Sequence, residues 1–543
     1  MTPLAGSRSN TVFRNNSATR PGETGDSFKA VLSWLREPGN AQLIRRGLRG
    51  VEKESLRVQL NGELSARPHP ASLGAALTHP YVTTDYSEAL PEFVTPPHSS
   101  NWETLQFLCD LHAYVHRNLS AELLWPASMP CTLTSNDDIP IAYYGTSNSG
   151  LLKTIYRRGL GFRYGKSMQA IAGVHFNYSL PADFWTAYRS RRNGDGSLQD
   201  FKSAAFMGLV RNYRRCAWLV TYLFGASPAF SKSFRPEGHD LLVELDGSTW
   251  YAPYATSLRM SDLGYRNKTQ AGLSIIANSL DEYVNGLASA VTTVEPRYQA
   301  IGIVVDGEYR QLNANILQIE NEYYSAIRPK PSKASASRTT VALKTRGVEY
   351  VEVRTLDLNL TDPVGINQNQ LRLLEALLIF CLLTDSPPID AAEQEEIDRR
   401  DVLVAREGRR PGLTLSNDGR KATLLDWGRE LLERIGDVAQ LLDVDNEGYV
   451  AAVQLGRRAL EDPNETPSAK LLRDLQQERA SFFEYSLALA RTHHEYFLAL
   501  PLDPEKQRWL SEIAQRSRLE AEALERDRSQ SFDDYLKDFF STV

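Results

Sequence analysis

The amino-acid sequence predicts an α+β fold built around an antiparallel or mixed β-sheet. Three observations support this prediction: strand-like segments are separated by helical stretches, Asn61-Gly62 and Asp306-Gly307 are hairpin signals, and the chain after Asn367 has an almost wholly helical pattern. The strands do not alternate regularly with helices, which argues against a doubly wound parallel fold.

The N-terminal part of the chain supplies the first elements. A helix is predicted near Ser27, and we expect residues 1–26 to form a disordered extension because they show no apolar periodicity. A strand is predicted over residues 50–60. Ser100 and Glu103 match a capping box that opens a helix, whose predicted inner face consists of Trp102, Leu105, Leu108, Leu111 and Val115.

The remaining elements follow in chain order. They are predicted as a strand over 169–180, a buried helix over 201–224, a strand-like segment over 316–324, a mobile loop over 329–340 and a last strand over 347–356. We expect residues 27–390 to form one folded domain and residues 391–543 to form a mostly helical region packed on it.

Composition narrows the function classes. The net charge of −6 argues against non-specific binding of nucleic acid. The longest apolar runs are far shorter than the roughly 20 residues that cross a bilayer, so we expect no membrane partner. Four scattered cysteines match neither a disulfide framework nor a zinc site, which predicts buried, reduced thiols in a cytoplasmic protein.

A pair of carboxylates on the first strand is the first chemical signal. Glu52 and Glu54 are two residues apart and therefore share a face, predicted to include Leu56 and Val58, while Lys53 takes the other face. Neighbouring carboxylates next to apolar residues require a compensating cation. A solvated edge strand is the alternative, and the Glu-x-Glu pattern alone favours it.

Similar polar faces recur along the chain. The residues that share them are His175, Asn177 and Ser179 in one segment, Gln318, Glu320, Glu322 and Tyr324 in a second, and Tyr350, Glu352 and Arg354 in a third. Asp85 and Glu92 flank a Pro91 that disfavours a continuous helix. A lone histidine is more often structural than a ligand, but an oxygen-rich cluster with one imidazole suits Mg²⁺ or Mn²⁺, completed by water and phosphate.

A phosphate-binding loop is the obvious rival. The segment 159–167 (GLGFRYGKS) resembles a Walker A loop but has five or three residues between its glycines where the motif requires four. We therefore expect nucleotide chemistry without a P-loop.

At these residues the sequence resembles the proteobacterial-type glutamate–cysteine ligases, over about residues 46–472. The resemblance rests on GVEKESLRV, THPYVTTDYSEALPEF, YYGTSNSGLLKTIYRRGL, MQAIAGVHFNYSLP, YLFGASPA, YATSLRMSDLGY, LQIENEYYSAIRPK, GVEYVEVRTLD and GRRPGLTL. It implies a glutamine synthetase-like catalytic domain at 27–390, with a curved, mainly antiparallel sheet that forms a funnel-shaped active site.

The resemblance also implies an activity. ATP would phosphorylate the γ-carboxyl of glutamate, and the cysteine amine would displace phosphate to give γ-glutamylcysteine and ADP, the first step of glutathione synthesis. The metal ligands implied are Glu52, His175 and Glu352 near the transferred phosphate, and Glu54, Asp85 and Glu92 on the acceptor side. Arg354 would contact the transferring phosphoryl group.

The cysteine pocket is likewise implied by the resemblance. Its residues would be Tyr86, Tyr156, Leu160, Gln169, Arg259, Tyr265 and Tyr324, and Tyr86 replaces a phenylalanine that is usual in the family. Neither the adenine pocket nor the oligomeric state follows from the sequence, although we expect a monomer. Lys330, Lys333 and Arg338 could approach ATP, but a solvated loop is the favoured interpretation.

Two alternative functions stay open at this point. One is a related carboxylate–amine ligase with a different amine acceptor. The other is a non-catalytic binding protein, which would be expected to lose charged site residues that are all present here.

Overall fold

A computed structural model describes residues 24–133, 135–234, 242–264, 273, 275–332, 338–417, 419–444, 446–527 and 529–541. The α-helices in these ranges are α1 (Thr24–Arg36), α2 (Gln42–Arg45), α3 (Asn101–Asn118), α4 (Asn148–Tyr164), α5 (Ala182–Arg191), α6 (Leu198–Phe224), α7 (Leu280–Thr292), α8 (Pro296–Ile301), α9 (Thr339–Arg346), α10 (Gln368–Leu383), α11 (Ala391–Glu407), α12 (Leu424–Leu442), α13 (Tyr449–Glu461), α14 (Pro467–Glu478), α15 (Phe482–Ala499), α16 (Pro504–Arg526) and α17 (Phe532–Ser541). The strands are β1 (Leu48–Glu54), β2 (Arg57–Gln59), β3 (Val82–Thr84), β4 (Pro91–Val94), β5 (Glu122–Leu124), β6 (Val174–Ser179), β7 (Ala229–Ser231), β8 (Val243–Asp246), β9 (Thr249–Tyr251), β10 (Val304–Val305), β11 (Glu308–Tyr309), β12 (Ile327–Lys330), β13 (Tyr350–Leu356), β14 (Thr414–Asn417) and β15 (Arg420–Thr423).

Six of these strands form the main sheet, in the order β12-β13-β6-β1-β4-β3. Every neighbouring pair in it is antiparallel, which confirms the predicted α+β class and decides between an antiparallel and a mixed sheet. The strands come from distant parts of the sequence, so the sheet collects side chains that the chain keeps far apart.

Helices cover one face of this sheet. Helix α3 packs on β1 and β4, helix α6 packs on β12 and β13, and α10 lies against both helices. One continuous apolar core runs from Phe28 to Leu510. It crosses residue 390, and the predicted division into domains at that position stays a prediction.

Several predicted elements are confirmed. Asp306 and Gly307 both have positive φ, of 54° and 82°, as expected of a hairpin turn between β10 and β11. Ser100 caps α3 by accepting from Trp102 N and Glu103 N, and α6 ends just before Gly225. The four cysteines are free. Among the described helices, none combines the length and apolarity needed to cross a membrane.

Four local predictions are wrong. The segment 316–324 forms a 3₁₀ turn over Glu320–Glu322 in place of a strand, because both carboxylates bind nearby groups: Glu322 accepts from Gln318 N at 2.7 Å, and Glu320 accepts from Arg338 Nε at 3.1 Å. Residues 329–330 of the predicted loop belong to β12, and α9 begins at Thr339; residues 333–337, including Lys333, lie outside the described residues.

The other two wrong predictions concern which residues share a face of α3 and of the first strand. Trp102 is 59% exposed and does not belong to the inner face of α3. The strand predicted over 50–60 ends at Glu54, and residues 57–59 form β2, which pairs with β5 in a separate sheet. Leu56 and Val58 therefore do not share the face of Glu52 and Glu54.

Candidate active site

Strand register brings the predicted carboxylates together on the sheet face opposite α3. Glu52 of β1 lies directly across from His175 of β6, and Glu54 lies across from Glu92 of β4. Directly opposed residues project from the same face about 5 Å apart. On the next strand, β13, Glu352 lies across from Asn177 of β6.

His175 is at the centre of this cluster. Its Nδ1 lies 3.1 Å from Glu52 Oε2 and 3.9 Å from Glu352 Oε1, and its Nε2 lies 3.7 Å from Glu54 Oε1. Asn177 Nδ2 donates to Glu52 Oε1 at 2.9 Å. The imidazole is buried, and burial together with the charge of Arg354 lowers its pKa, which favours the neutral form that binds metals.

The donor set fits a divalent cation. Glu52, Glu92 and His175 each offer one ligand atom, and these atoms lie within 4.8 Å of one another. Two carboxylate oxygens and one imidazole suit Mg²⁺ or Mn²⁺. This grouping joins residues that the family resemblance assigns to two different metal ions.

At one end of the cluster, which we call the carboxylate end, Glu54, Glu92 and Asp85 crowd together. Burial and the charge of Asp85 raise the pKa of Glu54 to about 8. Burial and the charges of Glu52, Asp85 and Glu54 raise the pKa of Glu92 well above its ordinary value. These raised pKa values mean that a positive charge is needed before Glu54 and Glu92 can both ionise at neutral pH.

At the other end, which we call the cation end, Glu352 lies between Lys330 and Arg354. Arg354 Nη1 donates to Glu352 Oε1 at 2.5 Å, and Lys330 forms an ion pair with Oε2. Burial opposes ionisation of Glu352, but the charges of Lys330 and Arg354 hold its pKa well below the ordinary value. Arg328 of the edge strand pairs in register with Glu352 and adds a third cation.

Residues predicted for the cysteine pocket fall into two groups. Tyr156 and Leu160 lie on α4, and the buried Tyr86 hydroxyl abuts Gly161 of the same helix. Among the described residues that hydroxyl has no hydrogen-bond partner. Gln169 lies in the 3₁₀ turn that follows α4.

The second group is linked through Met260. Arg259 Nη1 lies 3.2 Å from Met260 Sδ, and the Tyr324 hydroxyl lies 3.4 Å from the same atom. Tyr265 lies outside the described residues. Gly159 and Gly161 are inside α4, which agrees with the rejection of a Walker A loop.

Two lysines on strands of the main sheet have surroundings that the sequence patterns do not show. The sequence predicts a loop at Lys330 because Pro329 and the Lys-, Ser- and Ala-rich run after it mask a four-residue strand. Lys53 lies on the face opposite Glu52, where its Nζ is 5.6 Å from the Phe93 ring centre and burial lowers its pKa to about 7. The alternation of residues along β1 predicts which face Lys53 takes, but it does not predict that this lysine is buried.

Clustered carboxylates and a histidine that can hold a divalent cation, next to side-chain cations that can bind phosphate, are the parts that phosphoryl-transfer enzymes use. A family model described as glutamate–cysteine ligase matches residues 32–404. The chain therefore belongs to the glutamate–cysteine ligase family.

Similar proteins agree with this assignment. A glutamate–cysteine ligase from Azotobacter vinelandii is 47% identical over 522 residues, covering 95% of this chain and 98% of that protein. One from Pseudomonas aeruginosa is 46% identical over 520 residues, covering 95% and 98% respectively. The crystal structure of a glutamate–cysteine ligase from Francisella tularensis in complex with AMP has a TM-score of 0.87 and 36% identity, covering 92% of this chain and 98% of that one.

A bifunctional glutathione synthetase from Pasteurella multocida shares the fold, with a TM-score of 0.69 and 24% identity over 87% of this chain and 55% of that one.

Proposed function

We propose that this ligase joins the γ-carboxyl of glutamate to the amine of cysteine, with ATP cleaved to ADP and phosphate through a γ-glutamyl phosphate. The observation that supports this most directly is the single sheet face on which His175 lies between Glu52, Glu54 and Glu352. An ionised carboxylate is a poor acyl donor because its leaving group would be oxide. Phosphorylation replaces oxide with phosphate, which explains why the reaction consumes ATP.

Metal ions would be held by the sheet carboxylates and the histidine, namely Glu52, Glu54, Asp85, Glu92, His175 and Glu352. When bound, Mg²⁺ supplies positive charge that offsets the repulsion between ATP and the donor carboxylate and stabilises the developing charge on the phosphoryl oxygens. The raised pKa values at the carboxylate end support this, since bound cations would let Glu54 and Glu92 ionise.

The cation end is where we place the ATP phosphates. Lys330, Arg328 and Arg354 outnumber Glu352, and the side chains of Lys330 and Arg354 remain 25% and 21% exposed. An anion can therefore reach both groups. Arg354 has the planar fork suited to a transferring phosphoryl group, and it already lies against Glu352.

The acceptor would bind beside α4. Tyr86, Tyr156 and Leu160 offer an apolar and aromatic wall, and Arg259 and Tyr324 add polar groups. The buried Tyr86 hydroxyl has no partner among the described residues and lies against Gly161, so Tyr86 would support the wall of the pocket from behind α4.

Acceptor dependence of ADP release tests the proposal. Purified protein with Mg²⁺ and ATP should release ADP only when glutamate and a cysteine-like amino acid are both present. Equal turnover with ammonia in place of cysteine would favour a related carboxylate–amine ligase. No turnover with any acceptor would reject the enzymatic proposal.

We also propose that the enzyme acts in the cytoplasm as a monomer, with residues 27–390 as its catalytic domain. Free, mostly buried cysteines support a reducing compartment. Sedimentation of the purified protein would test the oligomeric state.

A further inference from the structure

We propose that Asp357 is a positioning residue, which holds the Arg259 guanidinium and through it the backbone of Arg354. The inference rests on the proposed function, since it concerns the same site. Asp357 follows β13 directly, three residues after Arg354 and on no face that the sequence patterns singled out.

Asp357 is fully buried and accepts three hydrogen bonds from other segments. Its Oδ2 accepts from Ala226 N at 2.8 Å and from Ser227 Oγ at 2.7 Å, and its Oδ1 accepts from Ser257 Oγ at 3.0 Å. These bonds fix the carboxylate in one orientation. In that orientation Oδ1 faces the Arg259 guanidinium, with 3.5 Å to Nη1, and both side chains are at most 2% exposed.

Arg259 in turn supports an irregularity in β13. The register between β13 and β6 shifts between Val353 and Leu356, so that β13 carries one extra residue there. Within this bulge the carbonyl oxygen of Arg354 accepts from Arg259 Nη2 at 3.1 Å. The guanidinium thus stabilises the backbone from which the Arg354 side chain reaches Glu352.

The same guanidinium also lies against the carboxylate end. A Cβ atom on Gly173 would collide with Arg259 Nη2, so the glycine is what lets the arginine approach β6. Gly173 N donates to Glu54 Oε2 at 2.7 Å. Arg259 therefore contacts the backbone beside Glu54 and the backbone of Arg354, and Asp357 keeps it between them.

The chain offers a matched control for the loss of a buried ion pair. Glu122 accepts from Arg57 Nη1 at 2.8 Å, and both side chains are at most 3% exposed. This pair belongs to the small β2–β5 sheet and none of its hydrogen bonds involves Arg259 or Arg354. Asp357→Asn and Glu122→Gln each remove one buried charge with little change of shape.

The experiment compares both variants with the wild type in ADP-release kinetics and thermal unfolding. Both variants should unfold at lower temperature. Only Asp357→Asn should also lower kcat, by about tenfold or more, because misplacing a group that acts in the transition state is costly. Its effect should shrink to less than about twofold in an Arg259→Lys background, because lysine lacks the planar fork that reaches the Arg354 carbonyl.

Equal kinetics of Asp357→Asn and Glu122→Gln, or the same fold-loss of kcat in both Arg259 backgrounds, would overturn the inference. If Asp357→Asn does not fold, Ser257→Ala replaces it. That change removes the hydrogen bond to Oδ1 and keeps the charge of Asp357, and it also removes the bond that Met260 N donates to Ser257 Oγ at 3.2 Å. A loss of kcat is then expected, and unchanged kcat overturns the inference.

A readout that needs no turnover separates this inference from the proposed function. Hydrogen exchange in peptides spanning residues 350–358 should accelerate in Asp357→Asn and not in Glu122→Gln. An inactive wild type would reject the proposed function alone, and unaltered exchange in Asp357→Asn would reject the positioning role alone.

Discussion

The glutamates at the two ends of the candidate site have pKa values shifted in opposite directions. At the cation end, Glu352 keeps a pKa well below its ordinary value because Lys330 and Arg354 offset its burial. At the carboxylate end, burial and neighbouring carboxylates raise the pKa of Glu54 to about 8 and hold that of Glu92 well above its ordinary value.

The position of each strand in the sheet explains this difference. Glu352 lies next to the edge strand β12, which contributes Arg328 and Lys330. Glu54 lies on β1, which runs between β6 and β4, and β4 places the carboxylate of Glu92 directly opposite it. The charge of Glu352 is therefore offset by the protein itself, whereas Glu54 and Glu92 would need positive charge from a ligand before both could ionise.

The largest effect is expected at the cation end, from Arg354→Lys. Lysine keeps the charge but loses the planar fork, so kcat should fall by about 100-fold or more, as when one preorganised donor to a transition state is lost. Steady-state kinetics with cysteine as the varied substrate would measure this. A larger change in the KM for cysteine than in kcat would contradict a role in phosphoryl transfer.

At the carboxylate end, removing one carboxylate should lower the affinity for a divalent metal ion. Glu92→Gln should weaken Mn²⁺ binding by about tenfold or more, because it removes one of three clustered ligand atoms. The control is Glu320→Gln, because the Glu320 carboxylate pairs with Arg338 and is not one of these clustered ligand atoms. Calorimetric titration that gave equal affinities for both variants would contradict the assignment.

The same end predicts a pH dependence of metal binding. A carboxyl with a pKa of about 8 is mostly protonated at pH 7, so binding must release its proton. The affinity for Mn²⁺ should therefore increase with pH between 6 and 8, and Glu54→Gln should flatten that increase. An affinity that did not vary between pH 6 and 8 would argue against an ionised Glu54 as a ligand.

A smaller effect is expected from Lys330→Met at the cation end. Losing one of three cations should raise the KM for ATP by about tenfold, within the range for charge-assisted contacts, while the KM for glutamate changes less. Lys344, an exposed residue of α9, provides the control Lys344→Met. Equal ATP kinetics in the two variants would place the phosphates elsewhere.

The smallest predicted effect concerns the pH dependence of stability, and it comes from buried histidines on the opposite side of the sheet. Burial, together with neighbouring charges, lowers the pKa of His112 and His116 well below 6.5, and that of His493 to about 4. The unfolded chain therefore binds more protons below pH 6.5, and stability should fall as the pH drops from about 6.5 toward 4.

Each of these histidines should contribute up to about 1.4 kcal/mol per pH unit to the slope of the unfolding free energy against pH. Denaturant unfolding of His112→Phe at pH 7 and pH 5 should show a smaller difference than the wild type. The ring of His112 packs 4.7 Å from Phe93, so phenylalanine matches its surroundings. An unchanged difference would mean that His112 is not among the groups that take up protons.

Period-two alternation explains how much of the site could be predicted. Spacing within β1, β6 and β13 predicts the faces on which Glu52, Glu54, His175 and Glu352 lie. The same rule failed for Glu320 and Glu322, because local hydrogen bonds turn that segment into a 3₁₀ turn. It also missed Lys330, because a four-residue edge strand beside a lysine-rich run has too few positions to show alternation.

The sequence by itself determined the α+β class, the family and the polar face of each central strand, since these depend on local pattern and on long shared motifs. Only the tertiary structure decided which charges neighbour which. Glu352 and Lys330 are 22 residues apart in the sequence yet form an ion pair, and Asp357 meets Arg259 across 98 residues. The acid strength of each carboxylate depends on those neighbours and on burial, and both are set by how distant strands pair.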